Sequence, residues 1–284
     1  MDYVEIFEVG PRDGLQNEKR QIPTEDKIAL VDLLSSAGFK RIEVASFVSP
    51  KWVPQMADSA DVLSGITRAK EVSYAALTPN LRGFEGAVAA NADEIAIFGS
   101  ASEGFSKANI NCTIAESLER FQPVADAANE AGIMMRGYIS CVTDCPFDGP
   151  TPPAKVAWVA EQLVAMGCYE ISLGDTIGQA TPETIDAMLD AVLGVAGPDM
   201  FAGHYHDTAG RACDNIEASL KKGLRVFDAA VGGLGGCPYA PGAQGNVATE
   251  AVHDRVTALG YTTGLDRDIL EQAAQMARRM RAGD

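Results

Sequence analysis

No stretch of the chain approaches the roughly 18 uninterrupted apolar residues that a membrane-crossing helix requires, which excludes a helical span. Basic residues are scarce: 23 Lys and Arg stand against 39 Asp and Glu, a formal charge of −16 at pH 7. That average field repels a phosphate backbone, so no nucleic-acid partner is expected, and any anionic ligand must find a local basic pocket. Cysteine is sparse as well. The six thiols (Cys112, Cys141, Cys145, Cys168, Cys213, Cys237) form no CxxC pair and are too few for a disulfide scaffold, so reduced thiols in a cytoplasmic protein are expected. The opening residues, Met1-Asp2-Tyr3-Val4-Glu5, show neither a basic segment before an apolar run nor an Arg-rich, acid-poor stretch. Neither export nor organelle import is therefore expected. No linker or low-complexity stretch interrupts the chain, and residues 1–284 are expected to form one domain.

What is present is an alternation of short apolar runs with helical ones. Strands are expected at Val4–Val9, Arg41–Ser46, Val72–Leu77, Glu94–Phe98, Ile133–Ile139, Tyr169–Leu173, Phe201–His206 and Val226–Val231, most of them poor in charge, as parallel strands covered by helices are. Thr24–Ala37 carries Ile28, Val31 and Leu34 at helical spacing, with Thr24 expected as its N-cap. Thr181-Pro182 and Thr151-Pro152-Pro153 read as two further helix starts. Gly38, Gly132, Gly167 and Gly223 stand where a helix must stop before the next strand. Eight strand–helix units predict an α/β fold, a (β/α)8 TIM barrel, with an extra C-terminal helix over roughly Asp266–Arg281. A doubly wound sheet would want G-x-G-x-x-G after its first strand, and Gly10-Pro11-Arg12-Asp13-Gly14 is not that.

In such a barrel the chemistry gathers at the C-terminal ends of the strands. Arg12, Asp13 and Gln16 follow strand 1, Glu43 and Ser46 belong to strand 2, and Arg136 and Tyr138 lie on strand 5. Asp175 follows strand 6, His204 and His206 end strand 7, and a glycine-rich loop with Cys237 follows strand 8. Only three histidines occur, and two stand at i and i+2 in Gly203-His204-Tyr205-His206, so both imidazoles face one side of a strand. They are either a hydrogen-bonded structural pair or metal ligands; with Asp13 nearby, Mg²⁺ or Mn²⁺ suits the set, and Zn²⁺ or Co²⁺ also fits. The Arg12 fork can grip a carboxylate or polarised carbonyl. Glu43, inside Ile42-Glu43-Val44, must be paired if it is buried, to Arg12 or to a metal-bound water, unless it is an outward edge residue. Cys237, flanked by glycines, is either a thiol whose pKa a nearby cation lowers or a small apolar filler. Cys141 and Cys145, at CxxxC spacing, read as thiols lining the loop after strand 5.

These residues resemble the hydroxymethylglutaryl-CoA lyases, within the wider group of metal-dependent aldolase-type barrels that includes isopropylmalate and homocitrate synthases. The resemblance rests on Gly10-Pro11-Arg12-Asp13-Gly14-Leu15-Gln16-Asn17-Glu18, on the run from Ser46 to Met56, on Ser172-Leu173-Gly174-Asp175-Thr176-Ile177-Gly178, and on Gly232-Gly233-Leu234-Gly235-Gly236-Cys237-Pro238-Tyr239 followed by Gly245-Asn246. It implies Asp13, His204, His206 and Asn246 as metal ligands. Arg12 would polarise a substrate oxygen, Cys237 would take part in proton transfer, and Glu43 and Asp175 would support the site. Arg12, Gln16, Tyr138 and Ser172 would meet substrate, and Lys19 is the candidate contact for the anionic CoA. The chain ends at Asp284 without the extra C-terminal cysteine of some animal members, so redox control through that thiol is not expected.

The implied reaction is retro-Claisen cleavage of 3-hydroxy-3-methylglutaryl-CoA to acetyl-CoA and acetoacetate, with Mg²⁺ or Mn²⁺ and no organic cofactor, in a homodimer by family analogy. A close acyl analogue remains an alternative substrate. A condensing synthase of the same group is the first rival. The absence of Thr-Leu before Arg12-Asp13, together with the Cys237 loop, counts against it. A non-catalytic binding protein on the same scaffold is the second; it would have lost one of Arg12, Asp13, His204 or His206, and all are present.

Overall fold

Eight parallel strands close into a barrel in the computed structural model, which describes residues 2–235 and 245–283. They are β1 (Glu5–Glu8), β2 (Arg41–Ser46), β3 (Ser73–Leu77), β4 (Glu94–Ser100), β5 (Met134–Ser140), β6 (Glu170–Asp175), β7 (Phe201–Tyr205) and β8 (Val226–Ala229). Each strand pairs with the next. The barrel closes where β1 meets both β2 (Glu8 opposite Ile42) and β8 (Glu5 opposite Val226). The predicted (β/α)8 architecture is therefore present.

Around the barrel run α1 (Thr24–Ser35), α2 (Ser59–Gly65), α3 (Leu81–Ala89), α4 (Glu103–Ile110), α5 (Ile114–Ala131), α6 (Pro153–Ala165), α7 (Pro182–Val192), α8 (Ala212–Lys221), α9 (Thr249–Ala258) and α10 (Arg267–Ala282). Two local rules account for many of their ends. Helix α5 starts with a reciprocal cap: Thr113 Oγ1 accepts from the Glu116 N–H, and the Glu116 carboxylate accepts from the Thr113 N–H. It stops at Gly132, whose φ of 65° is left-handed and closed to most side chains. Between those ends, Leu118, Phe121, Ala125 and Ala128 recur every three or four residues and bury one face.

The reading of Thr24 needs correction. Pro23 holds the capping position of α1, and the Thr24 hydroxyl, already inside the helix, donates to Asp58 Oδ2 at 2.7 Å. A side chain spent on a tertiary partner cannot also cap its own helix. Likewise Thr151 precedes α6 by two residues, with Pro152 at the cap. Thr181 does cap α7, accepting from the Thr184 N–H.

The strands divide their side chains between two environments. Ile6, Ile42, Val44, Ile95, Ile97, Met135, Ile139, Ile171 and Leu173 point to the helices and form the large apolar core. Each such burial stabilises the fold by about 1.5–3 kcal/mol before entropy is counted. The interior of the barrel is different: it holds Arg41, Glu43, Glu94, Arg136, Glu170 and Asp228, all buried. Arg41 donates to Glu5 and Glu170, and Arg136 donates to Glu170 and Asp228. Buried charges persist only when paired, and these pairs run as a continuous ladder up the barrel axis.

At the top of β1 the chain makes a π-helical turn over Gly10–Gly14, with the Leu15 N–H reaching back to the Gly10 carbonyl. Turns of this kind gather at functional sites. Gly10 is required here, since a Cβ would stand 2.5 Å from Glu8 Oε1. The expected last helix exists as α10 and packs on α1, α9 and the glycine turn after β8. Among the described residues no helix is long and apolar enough to cross a membrane, and Cys112, Cys141, Cys145, Cys168 and Cys213 are free thiols.

Candidate functional site

The C-terminal mouth of the barrel opens into a cavity of about 860 Å³. Its floor is polar, formed by Arg12, Asp13, Gln16, Tyr138, His204, His206 and Asn246. Its wall is apolar, with Leu77, Phe98, Phe105 and Phe121, and the segment Val48, Ser49, Trp52 and Val53 forms part of the rim. Trp52 is 79% exposed, which places a large apolar ring where an arriving ligand would pass.

The π-turn aims Arg12 inward. Its Nε donates to Glu43 Oε2 at 2.6 Å and its Nη1 donates to Asp13 Oδ1 at 2.8 Å. Glu43 is fully buried on β2, next to a register irregularity between Glu43 and Ala45, so it is an inward residue and the outward-edge alternative does not hold. Burial works against the guanidinium charge, yet Glu43 and Asp13 more than offset it and keep Arg12 protonated. Its guanidinium also lies over the Tyr138 ring, 5.5 Å from the centroid.

Asp13, His204 and His206 offer ligand atoms that all lie within 4.8 Å of one another. His204 Nε2 is 3.9 Å from Asp13 Oδ2, and the two imidazole centroids are 5.4 Å apart. Asn246 bridges to His206 through the backbone, and its amide donates to Asp13 Oδ2 at 2.8 Å. Burial favours the neutral acid at Asp13, but Arg12, His204 and the Asn246 bond outweigh it and hold the carboxyl below its usual range. At His206, burial and the neighbouring His204 push the pKa down to about 4, so its imidazole is neutral. Its Nδ1 is buried without a hydrogen-bond partner. One ionised carboxylate, an amide and two imidazoles, one with an orphaned buried nitrogen, fit a divalent cation.

The other expected site residues sit in three different settings. Gln16 and Tyr138 face the cavity; the Tyr138 hydroxyl accepts from Arg136 at 3.1 Å. Ser172 and Asp175 do not line it. Ser172 is buried below and donates to Asp228 Oδ2 at 2.7 Å. The Asp175 carboxylate accepts from the backbone N–H groups of Gln179 and Ala180 at 3.2 and 3.0 Å, tying down the loop after β6, and burial pushes its pKa up to about 6. Lys19 is exposed and is not part of the cavity lining. Cys237 lies outside the described residues. Cys141 and Cys145 stand in the loop directly after β5, as the sequence reading had it, buried together with Phe105 and outside the cavity lining.

Two carboxylates were missed in the sequence. Asp228 on β8 accepts from His204 Nδ1 at 3.1 Å, and although burial opposes its charge, Arg136 and His204 hold it ionised. Glu8 accepts from the Gly10 and Val231 N–H groups and from the Thr249 hydroxyl, so it joins the Arg12 turn to the segments before and after the cysteine loop. The signal existed: each is an acid within an apolar strand, as Glu43 is.

Comparison with known proteins agrees with this geometry. A family profile described as HMGL-like matches residues 3–277. The 3-hydroxy-3-isohexenylglutaryl-CoA/hydroxy-methylglutaryl-CoA lyase of Pseudomonas aeruginosa is 56% identical over 272 residues, covering 96% of this chain and 91% of that protein. The mitochondrial hydroxymethylglutaryl-CoA lyase of Bos taurus is 56% identical over 270 residues, 95% of this chain and 83% of its own. Among solved structures, the HMG-CoA lyase from Brucella melitensis superposes with a TM-score of 0.98 at 62% identity, covering 99% of this chain and 100% of that one.

Proposed function

The chain belongs to the HMGL-like family, and from that premise we propose that it is a lyase cleaving 3-hydroxy-3-methylglutaryl-CoA to acetyl-CoA and acetoacetate. The observation that carries this reading is the Asp13–His204–His206 cluster beside Arg12 at the floor of the mouth cavity. A divalent ion, Mg²⁺ or Mn²⁺, held by Asp13, His204, His206 and Asn246, would lower the pKa of the tertiary hydroxyl and neutralise the substrate carboxylate. Arg12 presents a fixed charge to the thioester oxygen, which gains negative charge as the carbon–carbon bond breaks. Glu43 keeps that charge aimed by holding Nε. The hydroxyl loses its proton and the acetyl-CoA enolate gains one; Cys237 and one of the metal-site groups are the groups assigned to these transfers. Gln16 and Tyr138 contact the acyl part. Ser172 acts through Asp228, Asp175 supports the loop after β6, and Lys19 meets the CoA phosphates from outside the cavity.

We place this activity in a single domain over residues 1–284, in a cytoplasmic homodimer. The dimer follows family analogy, and light scattering on purified protein tests it. The deciding assay supplies 3-hydroxy-3-methylglutaryl-CoA and Mg²⁺ and measures acetoacetate. No acetoacetate with any divalent ion refutes the reading. A second acyl group is worth weighing on one observation: Leu77, Phe98, Phe105 and Phe121 give the cavity an apolar lining of the kind that receives a hydrocarbon substituent. Running the 3-isohexenyl substrate in parallel, and comparing kcat/KM, decides between them.

A further inference from the structure

Asp228 touches no part of the cavity, yet it lies one step from its floor. Its carboxylate takes four hydrogen bonds. Arg136 grips it with two, Nη2 to Oδ1 at 2.7 Å and Nη1 to Oδ2 at 3.0 Å. Ser172 donates to Oδ2 at 2.7 Å, and the remaining approach to Oδ2 is occupied by His204 Nδ1 at 3.1 Å. Arg136 is itself immobilised, because its Nε donates to Glu170 at 2.7 Å and Phe7 covers its face at 4.3 Å. The strands fix the alignment, since Asp228 and His204 are register partners across β8 and β7. The carboxylate can neither rotate nor drift.

We infer that Asp228 is a positioning residue for His204: it captures the Nδ1 hydrogen, so that Nε2, on the Asp13 side of the ring, is the bare nitrogen offered to a divalent cation. A neutral imidazole carries one N–H, and the acceptor that binds it selects which nitrogen stays free. Arg136 and Ser172 serve this arrangement by fixing where Oδ2 points. The inference rests on the metal reading above. A buried Arg136–Asp228 ion pair kept only for structure would leave metal affinity untouched.

The test uses the full-length, metal-stripped protein and Mn²⁺ as the probe. Asp228→Asn should weaken Mn²⁺ binding by about 10–100-fold, the usual cost of removing the outer partner of a histidine ligand. KM for substrate should change little once Mn²⁺ is saturating. A Kd within twofold of the parent overturns the inference. If the parent itself binds no Mn²⁺, the metal reading falls and this one with it. Should Asp228→Asn fail to fold, because Arg136 loses its partner, the unaltered protein still decides. It has three histidines, so ring ¹⁵N resonances are separable at a pH above the ring titrations. His204 should carry its hydrogen on Nδ1; finding it on Nε2 overturns the assignment.

Discussion

Replacing Arg12 with lysine separates its two jobs. The guanidinium meets Glu43 Oε2 twice, from Nε at 2.6 Å and Nη2 at 2.5 Å, and Asp13 Oδ1 once, from Nη1 at 2.8 Å. A lysine nitrogen is a single point and cannot reproduce that fork. Glu43 is fully buried, so losing one charge-assisted bond to it costs about 1.5–3 kcal/mol of stability. At roughly 2–4 °C per kcal/mol, Tm should fall by about 3–12 °C, leaving a folded enzyme at 25 °C. Catalysis should suffer more. In the proposed reaction the fork would face the oxygen that becomes negative, so kcat should fall by about 10²–10³, equivalent to roughly 2.7–4 kcal/mol of transition-state stabilisation, while KM moves little. Acetoacetate formation at saturating Mg²⁺, beside a thermal melt, reads both effects. A variant with lowered Tm but near-parental kcat would reduce Arg12 to a structural clamp for Glu43 and refute its place in the chemistry.

Three further outcomes are expected. Chelation with EDTA should abolish activity with the far-UV spectrum unchanged, and Mg²⁺ or Mn²⁺ should restore it, because the proposed ligand set has one charged member and should bind exchangeably; full activity in metal-free protein checked by elemental analysis contradicts this. Cys237→Ser should lower kcat by about 10²–10⁴ if the thiol transfers a proton, whereas Cys112→Ser should stay within about a few-fold; equal rates for both variants would return Cys237 to a loop filler. Burial pushes the Glu8 carboxyl up to about 7, above its unfolded value of 4.5, despite the bonds from Thr249, Val231 and Gly10. A raised acid contributes stability that is fully present below pH 4.5 and is lost as pH rises through about 7. Glu8→Gln, which cannot ionise, should therefore match the parent near pH 4 and exceed it near pH 8, by an amount on the order of 3 kcal/mol. Denaturant melts at the two pH values measure this, and a gap that does not widen with pH contradicts it.

The legible part of this protein was the part written locally. Each strand is a short apolar run whose bounds depend on its own residues, so Arg41–Ser46 was read to the residue and the other seven to within two. Gly38, Gly132, Gly167 and Gly223 all adopt left-handed φ, between 65° and 99°, which no distant partner needs to impose. The i, i+2 spacing of His204 and His206, and the place of Arg12-Asp13 after a first strand, likewise announced a mouth cluster from the chain itself. Thr24 misled because its hydroxyl answers to Asp58, 34 residues away, and not to its own helix.

What only the tertiary structure decided is which polar groups share a neighbour. Closing the barrel brings β8 beside β1 and β7, so Asp228 reaches His204 from 24 residues away and Arg136 from 92. The same closure sets Glu8 against Thr249 across 241 residues. It also set Ser172 a layer beneath the cavity and Asp175 outside its lining, and gave their bonds to Asp228 and to the β6 loop. No periodicity carries such information. An acid inside an apolar strand shows that burial will demand a partner, but the barrel's stagger and closure choose which partner stands opposite.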